Sequence, residues 1–364
     1  MVPEMRSLPF LIVILCASFS SGCSLPYYWQ AVGGQLEVLR KRKPIEEILK
    51  SPDASPETRK ALRQVLEIRR FAMTALGLPD NGSYNTYVDL GRSYVVWNVV
   101  AAEEFSVEPM TWCFLVAGCV SYRGYFDEQA AHRFSIRLEA DGLDTAVGGA
   151  TAYSTLGHFA DPVLNTMITN GEQTIAALLI HELAHQRVYF EDDSELNEAF
   201  ATAVEEYGTE LWLMRAGELS GLVEYRERIQ RRTDFSKLVS DQQERLREIF
   251  ARPDSAEAKR TAKQAAFDLM RKEYGVLKQT WRGGATDYDL WFARPLNNAH
   301  LASFSTYERW LPGMRRLLEA LGLEGFYGEM EVLGKLGPNE RRVRLQEWLD
   351  TQEVDTDLIP KVPR

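Results

Sequence analysis

Cysteine is scarce in this chain of 364 residues, with four in all, at positions 16, 23, 113 and 119. Cys113 and Cys119 form a lone C-x5-C with no second pair beside it, which disfavours a cysteine-bound zinc site. After the first 22 residues no stretch combines the length and apolarity needed to span a bilayer. Internal repeats and low-complexity tracts are missing too. Positive charge is not in excess: 42 Lys and Arg stand against 52 Asp and Glu, a net charge of −10. That balance argues against nucleic acid as a partner and makes anionic polymers poor substrates. What remains after a leader is about 340 residues of ordinary globular composition, enough for a substantial core in one or two domains.

Against this background one short run stands out. His181-Glu182-Leu183-Ala184-His185 reads H-E-x-x-H within the apolar stretch IAALLIHELAHQRVYF. Residues four apart on a helix share a face, so both imidazoles can reach one metal ion while Glu182 approaches its open side. Zinc lowers the pKa of a bound water to roughly 7, and a carboxylate beside it can take the proton and return it to a leaving group. Glu182 is the candidate base. Chance H-E-x-x-H patterns occur on solvated helix faces, but two histidines and an acid among apolar neighbours are hard to satisfy without a ligand.

A catalytic zinc takes three protein ligands. Downstream, Ser194 or Asp193 can cap a second helix whose Leu196, Phe200, Ala203 and Val204 recur at helical spacing. Folded back antiparallel, that helix would bring Glu198 toward His185. Glu195, Glu205 and Glu206 are the alternatives. Glu195 also suits a helix N-terminus, Glu205 suits contact with a histidine N–H, and Glu206 suits a solvated helix surface.

Asn197-Glu198-Ala199-Phe200-Ala201 resembles the N-E-x-F-A element of gluzincin metallopeptidases, in which the glutamate completes a two-histidine, one-glutamate site. More narrowly, HELAHQ, NEAFATAVEEYG and GCVSYRGYFDEQAA resemble a family of bacterial lipoproteins predicted to be zinc aminopeptidases. The resemblance implies one Zn2+ held by His181, His185 and Glu198, with Asn197 and Glu205 in support, in an α+β fold with a small mixed sheet beside the zinc helix. Two features depart from the best-known members. Only 12 residues separate His185 from Glu198, and no G-x-M-E-N motif supplies a glutamate for the substrate amino terminus.

The N-terminus reads as an export signal over residues 1–22: Arg6, an apolar run from Phe10 to Phe19, then small residues before Cys23. The pattern resembles a lipobox, with Ser20 in place of the usual leucine, and makes Cys23 the lipidated first residue. Ser24 then points to the outer membrane, with the protein facing the periplasm. A secreted chain cleaved near Gly22 without lipid is the plainer alternative. In that oxidising compartment Cys113 and Cys119 are expected to form a small disulfide loop.

Residues 23–54 are expected to form a tether and N-terminal segment, 55–208 the zinc-binding α+β region, and 209–364 a mainly helical region completing the cleft. A helix is expected from Ser55 to Leu78, strands over 87–90 and 93–100 around a turn at Gly91, a helix from Phe126 to Ala140, and a strand from Thr145 to Ser154. The segment 152–159 precedes the zinc helix and is the substrate-strand candidate by analogy with gluzincins, with Tyr153 and His158 as substrate contacts. The polar cluster 294–307 supplies Tyr307 and His300 as oxyanion donors and Asn297 and Asn298 as substrate clamps. A capped and packed helix start explains the same cluster. The leading expectation is a lipid-anchored zinc peptidase acting on peptides, aminopeptidase by resemblance. An envelope endopeptidase and a noncatalytic scaffold are the alternatives.

Overall fold

The computed structural model describes residues 25–114, 118–152, 155, 159–169, 171–191, 193–308 and 310–350. Three helices lead in: α1 (Leu25–Lys41), α2 (Ile45–Lys50) and α3 (Pro56–Ala75). Ser55 starts α3 by accepting the Thr58 amide, and Pro56 takes the first helical position, where no amide donor is needed. Leu62, Val65, Ile68 and Ala72 of α3 enter the main core.

The centre of that core is α5 (Glu172–Ala184), which carries the H-E-x-x-H run. Ile175, Ala176, Leu179, Ile180, Leu183 and Ala184 are all buried, so this helix is apolar nearly all round, as a helix enclosed by others must be. Each large side chain hidden there stabilises the fold by roughly 1.5–3 kcal/mol. Glu172 ties its first turn to two neighbours, accepting from Gln64 of α3 and, at 3.2 Å, from Trp212 of α6 (Ser194–Ala216).

Asp193 caps α6 by accepting the Leu196 amide, and Gly217 ends it in the left-handed region at φ 74°. Gly208 lets α6 lie close on α5, since a Cβ there would stand 2.5 Å from Leu76 and 3.1 Å from Ile180. The nine-residue link between α5 and α6 is pinned by Asn197, whose side chain exchanges two 2.8 Å hydrogen bonds with the backbone of Phe190.

Two three-stranded sheets accompany the helices. One is mixed, in the order β1 (Lys43–Pro44), β2 (Thr86–Val88), β8 (Val163–Leu164), with β1 and β2 antiparallel and β2 and β8 parallel. The other is antiparallel, in the order β6 (Arg123–Tyr125), β3 (Val96–Ala102), β7 (Asp144–Ala150), with Val96 opposite Ala150 and Ala102 opposite Asp144. The strands expected on either side of Gly91 therefore exist, but they belong to different sheets and do not form a hairpin. Between β3 and β6 a small ribbon, β4 (Trp112–Phe114) and β5 (Gly118–Val120), pairs Cys113 with Cys119 and joins them in a disulfide. Asp127 caps α4 (Glu128–Ala140), which covers one face of the antiparallel sheet with Ala131 and Phe134.

The remainder is helical. α7 (Leu219–Ala251) and α8 (Ala256–Thr280) form a hairpin with Ser255 as the second N-cap, and with the short α9 (Asp289–Phe292) and α10 (Asn298–Glu308) they enclose a second core around Phe235, Phe267 and Met270. α11 (Leu311–Gly334) and α12 (Pro338–Asp350) return to the main core, where Phe326 stacks on Phe200 at 5.7 Å. The chain is α+β with a predominantly helical C-terminal half, and among the described residues no helix is long and apolar enough to cross a membrane.

Candidate metal centre

His181 lies in the last turn of α5, and His185 follows as its C-cap, still in helical conformation and donating its amide to the His181 carbonyl. One turn into α6, Glu198 faces them. Nε2 of His181 is 3.2 Å from Nε2 of His185 and 3.3 Å from Oε2 of Glu198, and Oε1 of Glu198 is 3.7 Å from Nε2 of His185. Two donors at zinc's usual bond length of about 2.1 Å in tetrahedral geometry stand about 3.4 Å apart, so the three edges fit one ion. The donor chemistry fits as well. Two imidazole nitrogens aimed at each other satisfy both rings only if a proton or a cation lies between them.

Support comes from the second half of α6. Glu205 Oε2 sits 3.1 Å from His181 Nδ1, so it takes the N–H that leaves Nε2 free as a ligand. Tyr225 donates to Glu205 at 3.4 Å, and the Arg232 guanidinium lies 3.6 Å away. Among the described residues Nδ1 of His185 has no hydrogen-bond partner.

Burial governs the charges. Glu182 is 8 % exposed, and burial first, then the Glu198 carboxylate, push its carboxyl up to about 7 against the pull of His181. Burial opposes the charged form of His181, yet the hydrogen bonds it donates to Glu198 and Glu205 outweigh it and raise its pKa well above the usual value. His185 goes the other way, lowered to about 4 by burial and by the His181 charge. Glu198 and Glu205, also burdened by burial, are held below the ordinary carboxylate range mainly by His181.

The other candidates from the sequence fall elsewhere. Glu195 lies in the first turn of α6, apart from the triad. Glu206 is neither a ligand nor a solvated surface charge: it is buried, gripped by Arg315 through two 2.6 Å hydrogen bonds and by Arg232, and so ties α6 to α7 and α11. Among the described residues Asn197 is hydrogen-bonded to the Phe190 backbone and to no histidine. It fixes the link at Phe190 that lets α6 fold back.

Asn297 and Asn298 are structural anchors in place of substrate clamps, because the N–H groups of their side-chain amides are already taken. Asn297 donates to the Thr145 carbonyl at 2.8 Å, and Asn298 donates to the carbonyls of Glu103 and Glu104 at 3.2 and 2.9 Å, fastening the start of α10 to the end of the antiparallel sheet. His300 pairs with Asn297 at 2.7 Å and packs on Trp291, where burial lowers it to about 4. The packed helix start accounts for this cluster. The side chain of Tyr307 lies outside the described residues, as do Tyr153, His158 and Cys23.

Sequence reading passed over Tyr122, between β5 and β6. Its side chain is 38 % exposed as a whole, yet its hydroxyl is pushed up to about 12, first by burial and then by the carboxylates of Glu198 and Glu182. A neutral phenol therefore stands within electrostatic range of both site carboxylates. The signal was in hand, since Tyr122 belongs to the GCVSYRGYF string, where nothing local marks it as different from its aromatic neighbours.

No curated protein matches this chain, and no solved structure matches it. A family model described as "Putative aminopeptidase" matches residues 26–345, from the lead-in helix α1 through His181, His185 and Glu198 to α12, and the chain belongs to that family.

Proposed function

We propose that the protein is a zinc peptidase, an aminopeptidase anchored by lipid at Cys23 and facing the periplasm. The observation that carries the chemistry is the triad of His181, His185 and Glu198 with the buried carboxyl of Glu182 beside it. His181, His185 and Glu198 would hold a zinc ion, which would supply a Lewis acid and a bound water with a pKa of roughly 7.

The chain's own residues supply the rest. Glu205 fixes the His181 tautomer by accepting from Nδ1. Glu182 takes a proton from the attacking water and returns it to the leaving amine, a role suited by a carboxyl near neutrality. A bound cation would draw that value down, toward the form that accepts a proton. Tyr122 donates to the developing oxyanion, as an un-ionised phenol can. The family description supports the aminopeptidase assignment, and the sequence before Cys23 supports export and lipidation.

Paired peptides test this reading. The zinc-loaded protein should release the first residue of a free peptide and leave its N-acetylated counterpart intact, and Glu182→Gln should abolish turnover with zinc retained. Equal cleavage of both peptides would make the protein an endopeptidase. For the anchor, Cys23→Ser should leave the membrane fraction; continued membrane association would refute lipidation.

A further inference from the structure

Behind the metal triad lies a cavity of about 370 Å3. His181 and Thr202 form its wall toward the site, Tyr288 and Phe304 its apolar walls, and Ser236 and Ser303 line it as well. His181 is shared: Nε2 meets Glu198 and His185, while Nδ1 meets Glu205, which also borders the cavity. A group entering it is thus one imidazole ring away from the point where a metal would polarise a carbonyl.

The walls select for size and apolarity. Tyr288 stacks on Phe235 with centroids 3.8 Å apart, and Phe304 stands edge-on to Phe235 at 5.0 Å and to Trp291 at 5.7 Å, so both rings are braced from behind. The full charges at the rim oppose each other. Arg232 is engaged with Glu206 and lies 3.6 Å from Glu205, and Glu205 is bonded to His181. A charged side chain placed here would lose water without gaining an opposite charge. Alanine's methyl would leave most of the volume empty and forfeit the contacts a larger group makes. Ser236 Oγ is buried with no hydrogen-bond partner among the described residues, a polar demand the cavity makes of an occupant.

A larger hollow of about 660 Å3, bordered by Arg92, Tyr94, Trp97 and Phe126, shares no residue with the triad. It has no comparable link to the chemistry.

We infer that the cavity behind His181 is the specificity pocket of the peptidase, and that it takes a large apolar side chain, of the size of leucine, methionine or phenylalanine, adjoining the bond that is cut. This rests on the zinc peptidase reading above.

The test uses the zinc-loaded protein and a matrix of short peptides in which the residue on each side of the cut bond is varied in turn among Trp, Phe, Leu, Ala, Glu and Lys. Binding of phenylalanine hydroxamate and alanine hydroxamate to Glu182→Gln is measured in parallel. Phe and Leu should exceed Ala, Glu and Lys by about tenfold or more in kcat/KM at one of the two positions, the discrimination an apolar pocket achieves for a few methylenes. Phenylalanine hydroxamate should bind tighter than alanine hydroxamate by a similar factor. Ser303→Phe, which fills the cavity, should cut the Phe-to-Ala ratio by tenfold. Phe304→Ala, which widens it, should shift the optimum toward Trp. Hydrolysis with no size preference, or a preference that neither substitution alters, overturns the pocket and leaves the peptidase standing. No hydrolysis and no hydroxamate binding overturns both.

Discussion

Nδ1 of His181 lies 3.1 Å from Oε2 of Glu205, with Tyr225 and Arg232 on the other oxygen of that carboxylate. Glu205 therefore sets which histidine nitrogen faces Glu198. Partners of this kind change metal affinity roughly 10–100-fold when removed. Glu205→Ala should weaken zinc binding by that factor in competition with a chromophoric chelator, and unchanged affinity would mean the hydrogen bond is incidental.

Tyr122 brings an un-ionised hydroxyl to the neighbourhood of Glu182 and Glu198. If it serves the oxyanion, Tyr122→Phe should lower kcat on the order of 10²–10³-fold, with KM and zinc content near wild type. A shift in KM alone would assign the ring to substrate binding.

Asn197 makes two buried hydrogen bonds with the Phe190 backbone and holds the link that returns α6 to α5. Truncation strands a buried amide and a buried carbonyl, each worth about 1–3 kcal/mol. Asn197→Ala should lose roughly 2–4 kcal/mol in urea unfolding of the metal-free protein, and a loss below about 0.5 kcal/mol would show that the link holds itself.

His300 is neutral when folded, lowered to about 4 by burial and by Arg294, whereas in the unfolded chain it takes a proton near 6.5. The unfolded state thus binds more protons between those values, so stability is full above about pH 6.5 and falls as pH drops toward 4. Partial exposure limits the His300 share to on the order of 2 kcal/mol. Denaturant unfolding at pH 7 and 4.5 should show a smaller loss for His300→Gln than for the unsubstituted protein. Equal losses would place the acid sensitivity elsewhere.

The parts of this molecule that were legible from sequence are those with local causes. Ser55 and Pro56 announce the start of α3, and the H-E-x-x-H run announces three site residues because the helix itself supplies their spacing. Glu198 followed from a helix folding back. The remainder depends on partners far along the chain. β2 and β3 flank the turn expected around Gly91, but β2 pairs with Val163 and Leu164 and β3 with residues 144–150. Asn298 looked like a ligand contact because its acceptors, Glu103 and Glu104, precede it by nearly two hundred positions. Glu206 is buried for the same reason, since Arg232 and Arg315 come from separate helices.

The most direct measurement is a zinc titration of the metal-free protein, reading hydrolysis of an unblocked peptide. Turnover should rise linearly to one equivalent of zinc per chain and then level off, while Glu182→Gln takes up the same equivalent and stays silent and His181→Ala and Glu198→Ala take up little. Turnover that is present without zinc, or that persists in Glu182→Gln, would contradict the metal centre as the seat of the chemistry.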